Sequence, residues 1–137
     1  MQPHTELIHV SVREARMAVE RILLTCRIAK GYVAAVRDGV LLSQALGLGG
    51  FERLREDRDA IAGSDLARMK SHRDGGVTTV SGGGLHAWLV LPTACDLAVA
   101  AARRDGRAEL RITDVRAPAE LQVLAALARR YGARATV

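Results

Sequence analysis

The chain has 137 residues, of which 49% are hydrophobic and 26% charged, a composition typical of one folded domain. No apolar run approaches the roughly 20 residues that cross a bilayer, and the N-terminus lacks a secretory signal, so we expect a soluble, cytoplasmic protein without a membrane partner. The net charge of +5 comes from eighteen arginines and two lysines scattered among fifteen acids. There is no basic block, and only Phe51, Trp88, Tyr32 and Tyr131 could stack on bases, so we expect no nucleic-acid partner.

A pair of antiparallel helices is predicted in residues 1–50. Ser11, followed three residues later by Glu14, forms a capping box, and apolar residues then recur at helical spacing through residues 15–26. A second helix is predicted over residues 32–46. The glycines of the stretch "ALGLGG" that follows are suited to end it, because glycine adopts the left-handed conformation without a steric penalty.

The remainder of the chain changes pattern twice. Residues 51–76 are polar, with little apolar periodicity, and they are predicted to form a connector with short helical turns at most. Residues 77–137 are predicted to form a βαβαβ unit, with strands at "VTTV", "AELRITDV" and "ARATV" and helices near residues 89–104 and 118–130. The sequence therefore predicts a single α/β domain, in which a helix pair precedes a small parallel or mixed sheet.

Common metal and nucleophile motifs are absent from the sequence. Cys26 and Cys95 lie in separate apolar helical runs without CxxC spacing, so we expect two buried thiols and not a metal or redox pair. There is no metal-ligand spacing, no nucleophile elbow and no Walker loop. No metal is expected.

Two stretches lie where an open sheet places its ligands, after the carboxyl ends of strands. "TDVRAPAE" brings Asp114 and Arg116 to the start of the last helix, where backbone N–H groups favour an anion. A turn or capping role for Asp114 and a surface position for Arg116 are the alternatives. "SGGGLHAW" adds three glycines, His86 and Trp88; here a hydrogen-bonded histidine and a core aromatic are the alternatives.

A third candidate is His72 in "KSHRDGG", which is followed directly by Arg73 and Asp74 in the polar segment. Histidine titrates near neutrality and a carboxylate can fix its tautomer, so this group is suited to acid–base work. Adjacent residues seldom converge on one point, and a solvated loop is the alternative interpretation.

The segments "SVREARMAVERILLTCRIAKGYVAAVRDGVLLSQALGLGGFERL", "GGGLHAWLVLPTACDLAVAAARRDGRAELRITDV" and "LAALARRYGARATV" resemble the malate/L-lactate dehydrogenase family, which includes ureidoglycolate dehydrogenases and cyclic-imine-2-carboxylate reductases. The resemblance covers nearly this whole chain but only the first part of a family member, and it implies a shortened relative with the family's α/β scaffold.

Departures from the family are concentrated at its functional motifs. "LGGFE" stands where the family carries Ser-His-Gly, and "RAPAEL" stands where it carries His-Phe-Gly, so both histidines are missing. Only Arg53 and Leu54 match the tail of the first motif, and the resemblance gives Arg53 a role in holding a carboxylate. On this resemblance most of the nicotinamide-binding portion would lie beyond residue 137, so no cofactor is expected, with NAD(P) as the alternative.

These features lead to two hypotheses of different classes. The first is a cofactor-independent acid–base enzyme of lyase, cyclase or isomerase type that acts on a carboxylate-bearing small molecule. His86, His72 and Asp114 are its candidate catalytic residues, and Arg53, Arg116 and Trp88 its candidate substrate-binding residues. The second is a non-catalytic subunit that forms a homo-oligomer or pairs with a full-length relative through apolar helices.

Overall fold

The computed structural model describes residues 6–137, which form five α-helices and a three-stranded sheet. The strands lie in the order β1-β2-β3; β1 pairs with β2 antiparallel, and β2 pairs with β3 parallel. The predicted α/β fold with N-terminal helices and a small mixed sheet is confirmed. The elements are α1 (Val12–Thr25), α2 (Val33–Ala45), α3 (Gly50–Ile61), β1 (Lys70–Asp74), β2 (Val77–Ser81), α4 (Ala87–Asp105), β3 (Glu109–Thr113) and α5 (Val123–Arg129).

The predicted capping box begins α1. The Ser11 N–H donates to Glu14 Oε2 at 2.8 Å, and the Glu14 N–H donates to Ser11 Oγ at 3.2 Å. The end of α2 likewise follows the sequence: Gly47 has φ +77°, and the Leu48 N–H donates to the Ser43 carbonyl at 2.9 Å. This pairing closes the helix with its last carbonyls satisfied.

Helix α3 and strand β1 occupy the segment that was predicted to be a connector. Helix α3 buries Gly50, Leu54, Asp57 and Ile61, a stripe at helical spacing in which only two residues are apolar. Every residue of β1 is exposed, so this strand shows no apolar alternation. The closing strand expected at residues 133–137 is not formed in the described chain, and β1 supplies the third strand instead.

The hydrophobic core lies where α4 packs between the helices and the sheet. The first turns of α4 are almost completely buried, and Trp88 in particular has no exposed surface. Cys26 and Cys95 are both buried and free, as the sequence predicted. Among the helices of residues 6–137, none is long and apolar enough to cross a membrane.

Close backbone contact between α2 and α3 gives the first prediction. A Cβ added at Gly50 would overlap the Val40 carbonyl oxygen and lie 2.8 Å from the Gln44 nitrogen. Gly50→Ala should therefore lower the free energy of unfolding by about 1–3 kcal/mol, because the helices must separate. Urea denaturation measures this loss.

The control is Gly31→Ala, since nothing lies within 4 Å of a Cβ at Gly31. Equal stability of G50A and the wild type would contradict the packing described for α2 and α3.

Candidate functional site

A buried hydrogen bond joins α3 to the start of α4. His86 Nε2 and Asp57 Oδ2 are 3.0 Å apart, and the two residues are only 1% and 6% exposed. His86 caps α4, because its Nδ1 accepts the Trp88 backbone N–H at 3.2 Å. With Nδ1 acting as an acceptor, the proton is assigned to Nε2, which donates to Asp57.

The backbone around His86 is held by the segment that follows β3. The Arg116 N–H donates to the Leu85 carbonyl, and the Ala87 N–H donates to the Arg116 carbonyl, both at 2.9 Å. These bonds form a parallel bridge between His86 and Arg116, which continues the pairing of β2 with β3. The predicted candidates His86 and Arg116 are therefore fixed side by side.

Burial sets the charge state of His86. Desolvation lowers the pKa of His86 below its usual 6.5, since the charged imidazolium is poorly solvated there. The hydrogen bond with Asp57 and the negative charges of Asp57 and Glu120 raise this pKa, but they do not offset the effect of burial. The positive charge of Arg53 lowers it further. His86 is therefore a neutral donor at physiological pH, with both ring nitrogens engaged.

Two guanidinium groups approach the Asp57 carboxylate from the solvent side. Arg53 Nη1 lies 3.8 Å from Asp57 Oδ2, and Arg116 Nη2 lies 3.7 Å from Asp57 Oδ1. The arginine side chains are 39% and 57% exposed, whereas that of Asp57 is 9% exposed. Both distances exceed the length of a hydrogen bond, so each guanidinium keeps donors for another acceptor.

A second buried carboxylate, that of Glu120, lies behind Arg53. Its Oε2 accepts the indole N–H of Trp88 at 3.0 Å, and its Oε1 lies 4.0 Å from Arg53 Nε. Arg53 Nε is buried and has no hydrogen-bond partner. The Trp88 ring lies 4.6 Å from the His86 ring between centroids. Trp88 is thus fully buried and supports the site from within the core, without an exposed surface for a ligand.

The glycine loop before His86 packs against the chain itself. A Cβ at Gly82 would lie 2.5 Å from Val115 Cγ1 and 2.7 Å from the Asp114 carbonyl oxygen. The N–H groups of Gly82 and Gly84 donate to the carbonyls of Thr113 and Asp114, both at 2.8 Å. The N–H groups of Gly82 and Gly84 are therefore engaged within the chain, and the space beside Gly82 is filled.

Two of the predicted catalytic residues lie apart from this arrangement. His72 is exposed on β1 and faces Thr79 in the strand register. Asp114 follows β3 and is exposed, and its backbone has φ +53°. Its backbone carbonyl accepts a hydrogen bond from the Gly84 N–H. No hydrogen bond or ion pair of the described residues joins either side chain to His86. Residues 6–137 also contain no cluster of three or more potential metal ligands.

Asp57 and Glu120 are the site residues that sequence reasoning missed. Asp57 lies between Leu54 and Ile61 on the buried face of α3, so its helical spacing from these two apolar residues was the available signal. Glu120 lies in the 3-10 turn Pro118–Gln122, where it is 2% exposed. Short polar turns carry no periodicity, so its burial had no sequence signal.

Comparison with known proteins identifies the fold. No protein-family model matches the chain, and no characterised protein matches its sequence. Among solved structures, malate dehydrogenase from Pyrococcus horikoshii OT3 superimposes with a TM-score of 0.76 at 19% sequence identity. The chain shares its fold with a malate dehydrogenase. The match covers 91% of this chain and 38% of the dehydrogenase, so the chain spans less than half of that protein's length.

The relation to a longer dehydrogenase, which the sequence predicted, is confirmed as a likeness of fold. At 19% identity the similarity carries no activity with it, because one fold supports many functions.

The buried, neutral His86 gives the second prediction. Its folded-state pKa is depressed, so its contribution to stability is complete above the unfolded-state value of about 6.5 and is lost as the pH falls through the folded-state pKa. The free energy of unfolding should therefore decrease more steeply below pH 6.5 in the wild type than in His86→Gln, which cannot titrate. Urea denaturation at a series of pH values measures the difference.

His86→Gln should also lower the free energy of unfolding by about 1–3 kcal/mol at pH 7.5, because Asp57 loses its buried hydrogen-bond donor. Parallel pH profiles for the two proteins would show that His86 is not held neutral by the fold.

Proposed function

We propose that the chain binds a carboxylate-bearing small molecule between Arg53 and Arg116, and that Asp57 supplies acid–base chemistry there without a cofactor. The observation that carries this proposal is that two exposed guanidinium groups flank one buried carboxylate at 3.8 and 3.7 Å, and that neither donates a hydrogen bond within residues 6–137. Guanidinium groups match carboxylates through paired N–H donors. An incoming carboxylate would find these donors available on both sides of Asp57.

Charge in the site limits the expected affinity. Glu56 Oε2 lies 3.8 Å from Arg53 Nη1, so Arg53 is surrounded by Glu56, Asp57 and Glu120. These carboxylates offset the attraction of the arginines for an anion. We therefore expect a dissociation constant of about 1 mM, which corresponds to roughly 4 kcal/mol of binding free energy.

The proton-transfer role passes from His86 to Asp57. Both ring nitrogens of His86 are engaged in hydrogen bonds, so this histidine orients Asp57 and is a positioning residue. Asp57 Oδ2 accepts from His86, while the Arg116 guanidinium lies near Oδ1, with Nη2 3.7 Å away. In an isomerase-type reaction, Oδ1 would take a proton from the substrate and return it to another atom of the same molecule.

L-malate is the first probe, since the structurally similar protein is a malate dehydrogenase. Malate carries two carboxylates, which suits a pair of guanidinium groups. Acetate, with one carboxylate, provides a comparison ligand that can engage the same donors but cannot bridge two arginines.

A non-catalytic subunit is the second candidate. It is favoured by the exposed apolar side chains near the N-terminus, of which Leu7 and Ile8 are 82% and 78% exposed. Exposed apolar groups of this kind are typical of a surface that associates with another chain.

Isothermal titration calorimetry with L-malate tests the first candidate. Arg116→Ala and Arg53→Ala should each weaken binding about 10-fold or more, because each removes a charge-assisted hydrogen bond worth about 1.5–3 kcal/mol. Arg55→Ala is the matched control: Arg55 lies on the same helix, is 77% exposed and pairs with Glu52.

Binding of malate that is equal in all three variants would place the ligand elsewhere on the protein. Wild-type protein that binds neither malate nor acetate would exclude the carboxylate site and favour the subunit role.

A further inference from the structure

A free strand edge lies at the side of the sheet that β3 forms. Strand β3 is the last in the order β1-β2-β3 and pairs with β2 alone. Within residues 6–137, no backbone hydrogen bond from a segment other than β2 reaches residues 109–112. A strand that is paired on one side only presents N–H and C=O groups on the other side, where a further strand can bind them.

An apolar groove of about 920 Å³ adjoins this strand. We call it the β3 groove; the apolar side chains that line it include Leu110, Ile112, Leu121 and Leu124. Because alternate residues of a strand share a face, Leu110 and Ile112 lie on the same side of the sheet, and both are half-buried. Residues 133–137 also line the groove, but they belong to no helix or strand. The neighbouring segment therefore does not pair with the β3 edge.

The charges that line the β3 groove are all positive. They belong to Arg103, Arg107 and Arg134, and no aspartate or glutamate of residues 6–137 lines the groove. All three arginines are exposed. Asp105, which lies between Arg103 and Arg107 in the sequence, pairs instead with Arg73 at 2.7 Å. The groove thus combines apolar surface with guanidinium groups that suit the carboxylates of a partner.

We propose that the β3 groove binds an extended acidic peptide of a partner protein, which adds to β3 as a fourth strand. The backbone of the peptide bonds to the free edge of β3, apolar side chains at every second peptide position pack on Leu110 and Ile112, and flanking acidic residues meet the arginines. A polypeptide is favoured over a lipid or a nucleic acid, because it supplies the row of backbone donors and acceptors that a strand edge binds.

Fluorescence polarisation with a labelled twelve-residue peptide tests the proposal on the full chain. The central six residues of this probe alternate valine and threonine, and three aspartates stand on each side. The probe is expected to bind saturably below about 1 mM. The same peptide with lysines in place of the aspartates should bind about 10-fold more weakly or worse, because the arginines repel it.

Charge reversal on the protein locates the bound probe. Arg107→Glu and Arg134→Glu should each weaken binding of the aspartate probe about 10-fold, because attraction becomes repulsion. Both residues are exposed, so these substitutions leave the core intact. Arg55→Glu is the matched control, since the Arg55 side chain is 77% exposed and does not line the β3 groove.

Two N-methylated probes test the strand pairing itself. Methyl groups on the three valine nitrogens remove the N–H donors along one edge of the peptide, and methyl groups on the three threonine nitrogens remove those along the other. Because only one edge pairs with β3, one probe should keep its affinity and the other should lose about 10-fold or more. Amide hydrogen exchange of residues 109–113 should also slow when the unmethylated probe is bound.

The proposal is wrong if the aspartate probe does not bind at about 1 mM, if the lysine probe binds as tightly, or if the two N-methylated probes bind equally. Equal weakening by Arg55→Glu and Arg107→Glu, or unchanged hydrogen exchange of residues 109–113, would also contradict it. Because Arg53 and Arg116 do not line the β3 groove, malate binding and peptide binding can fail independently.

Discussion

The hydrogen bond between His86 and Asp57 is the interaction on which the candidate site depends. Helix α3 packs mainly on α2, and this bond ties it to the start of α4 on the other side of the site. Removing either residue would leave a buried polar group without a hydrogen-bond partner. This loss lowers the stability of the fold by more than the bond itself contributes. The bond therefore fixes both the position of α3 and the orientation of the Asp57 carboxylate.

The neutral state of His86 has a direct consequence for the arginines. A charged imidazolium would neutralise the negative charge of the Asp57 carboxylate, which would then attract other cations less strongly. Because burial keeps His86 neutral, the negative charge of Asp57 is met instead by Arg53 and Arg116 from the solvent side. The buried Asp57 carboxylate thus attracts the Arg53 and Arg116 guanidinium groups at the surface.

The sequence predicted the parts of this protein that follow a period or a cap. Ser11 and Glu14 marked the start of α1, and the glycines after residue 46 marked the end of α2, because such signals are local. Helix α3 was not predicted because Gly50 and Asp57 occupy two positions of its buried stripe. Neither side chain is a large apolar one, so the sequence shows no apolar periodicity there. The burial of Asp57 depends on a histidine 29 residues away, and no local pattern records that partner.

The same distinction applies to the site. His86, Arg53 and Arg116 were recognised as candidates from their motifs and from the family resemblance, and the fold brings them together around Asp57. The roles of these residues could not be read in advance, because they follow from contacts between α3, α4 and the segment after β3. A histidine that caps a helix with one nitrogen and holds an aspartate with the other has the same sequence signature as an acid–base catalyst.

Long-range ¹H–¹⁵N correlation NMR of the histidine side chains would show whether the fold holds His86 neutral, since it reports tautomer and charge at each ring. Assignment comes from comparison with His86→Gln. We expect His86 to be neutral, to carry its proton on Nε2 and to keep that state as the pH is lowered through 6.5. A His86 ring that is protonated on Nδ1, or that becomes charged at or above pH 6.5, would contradict the buried, neutral histidine described here.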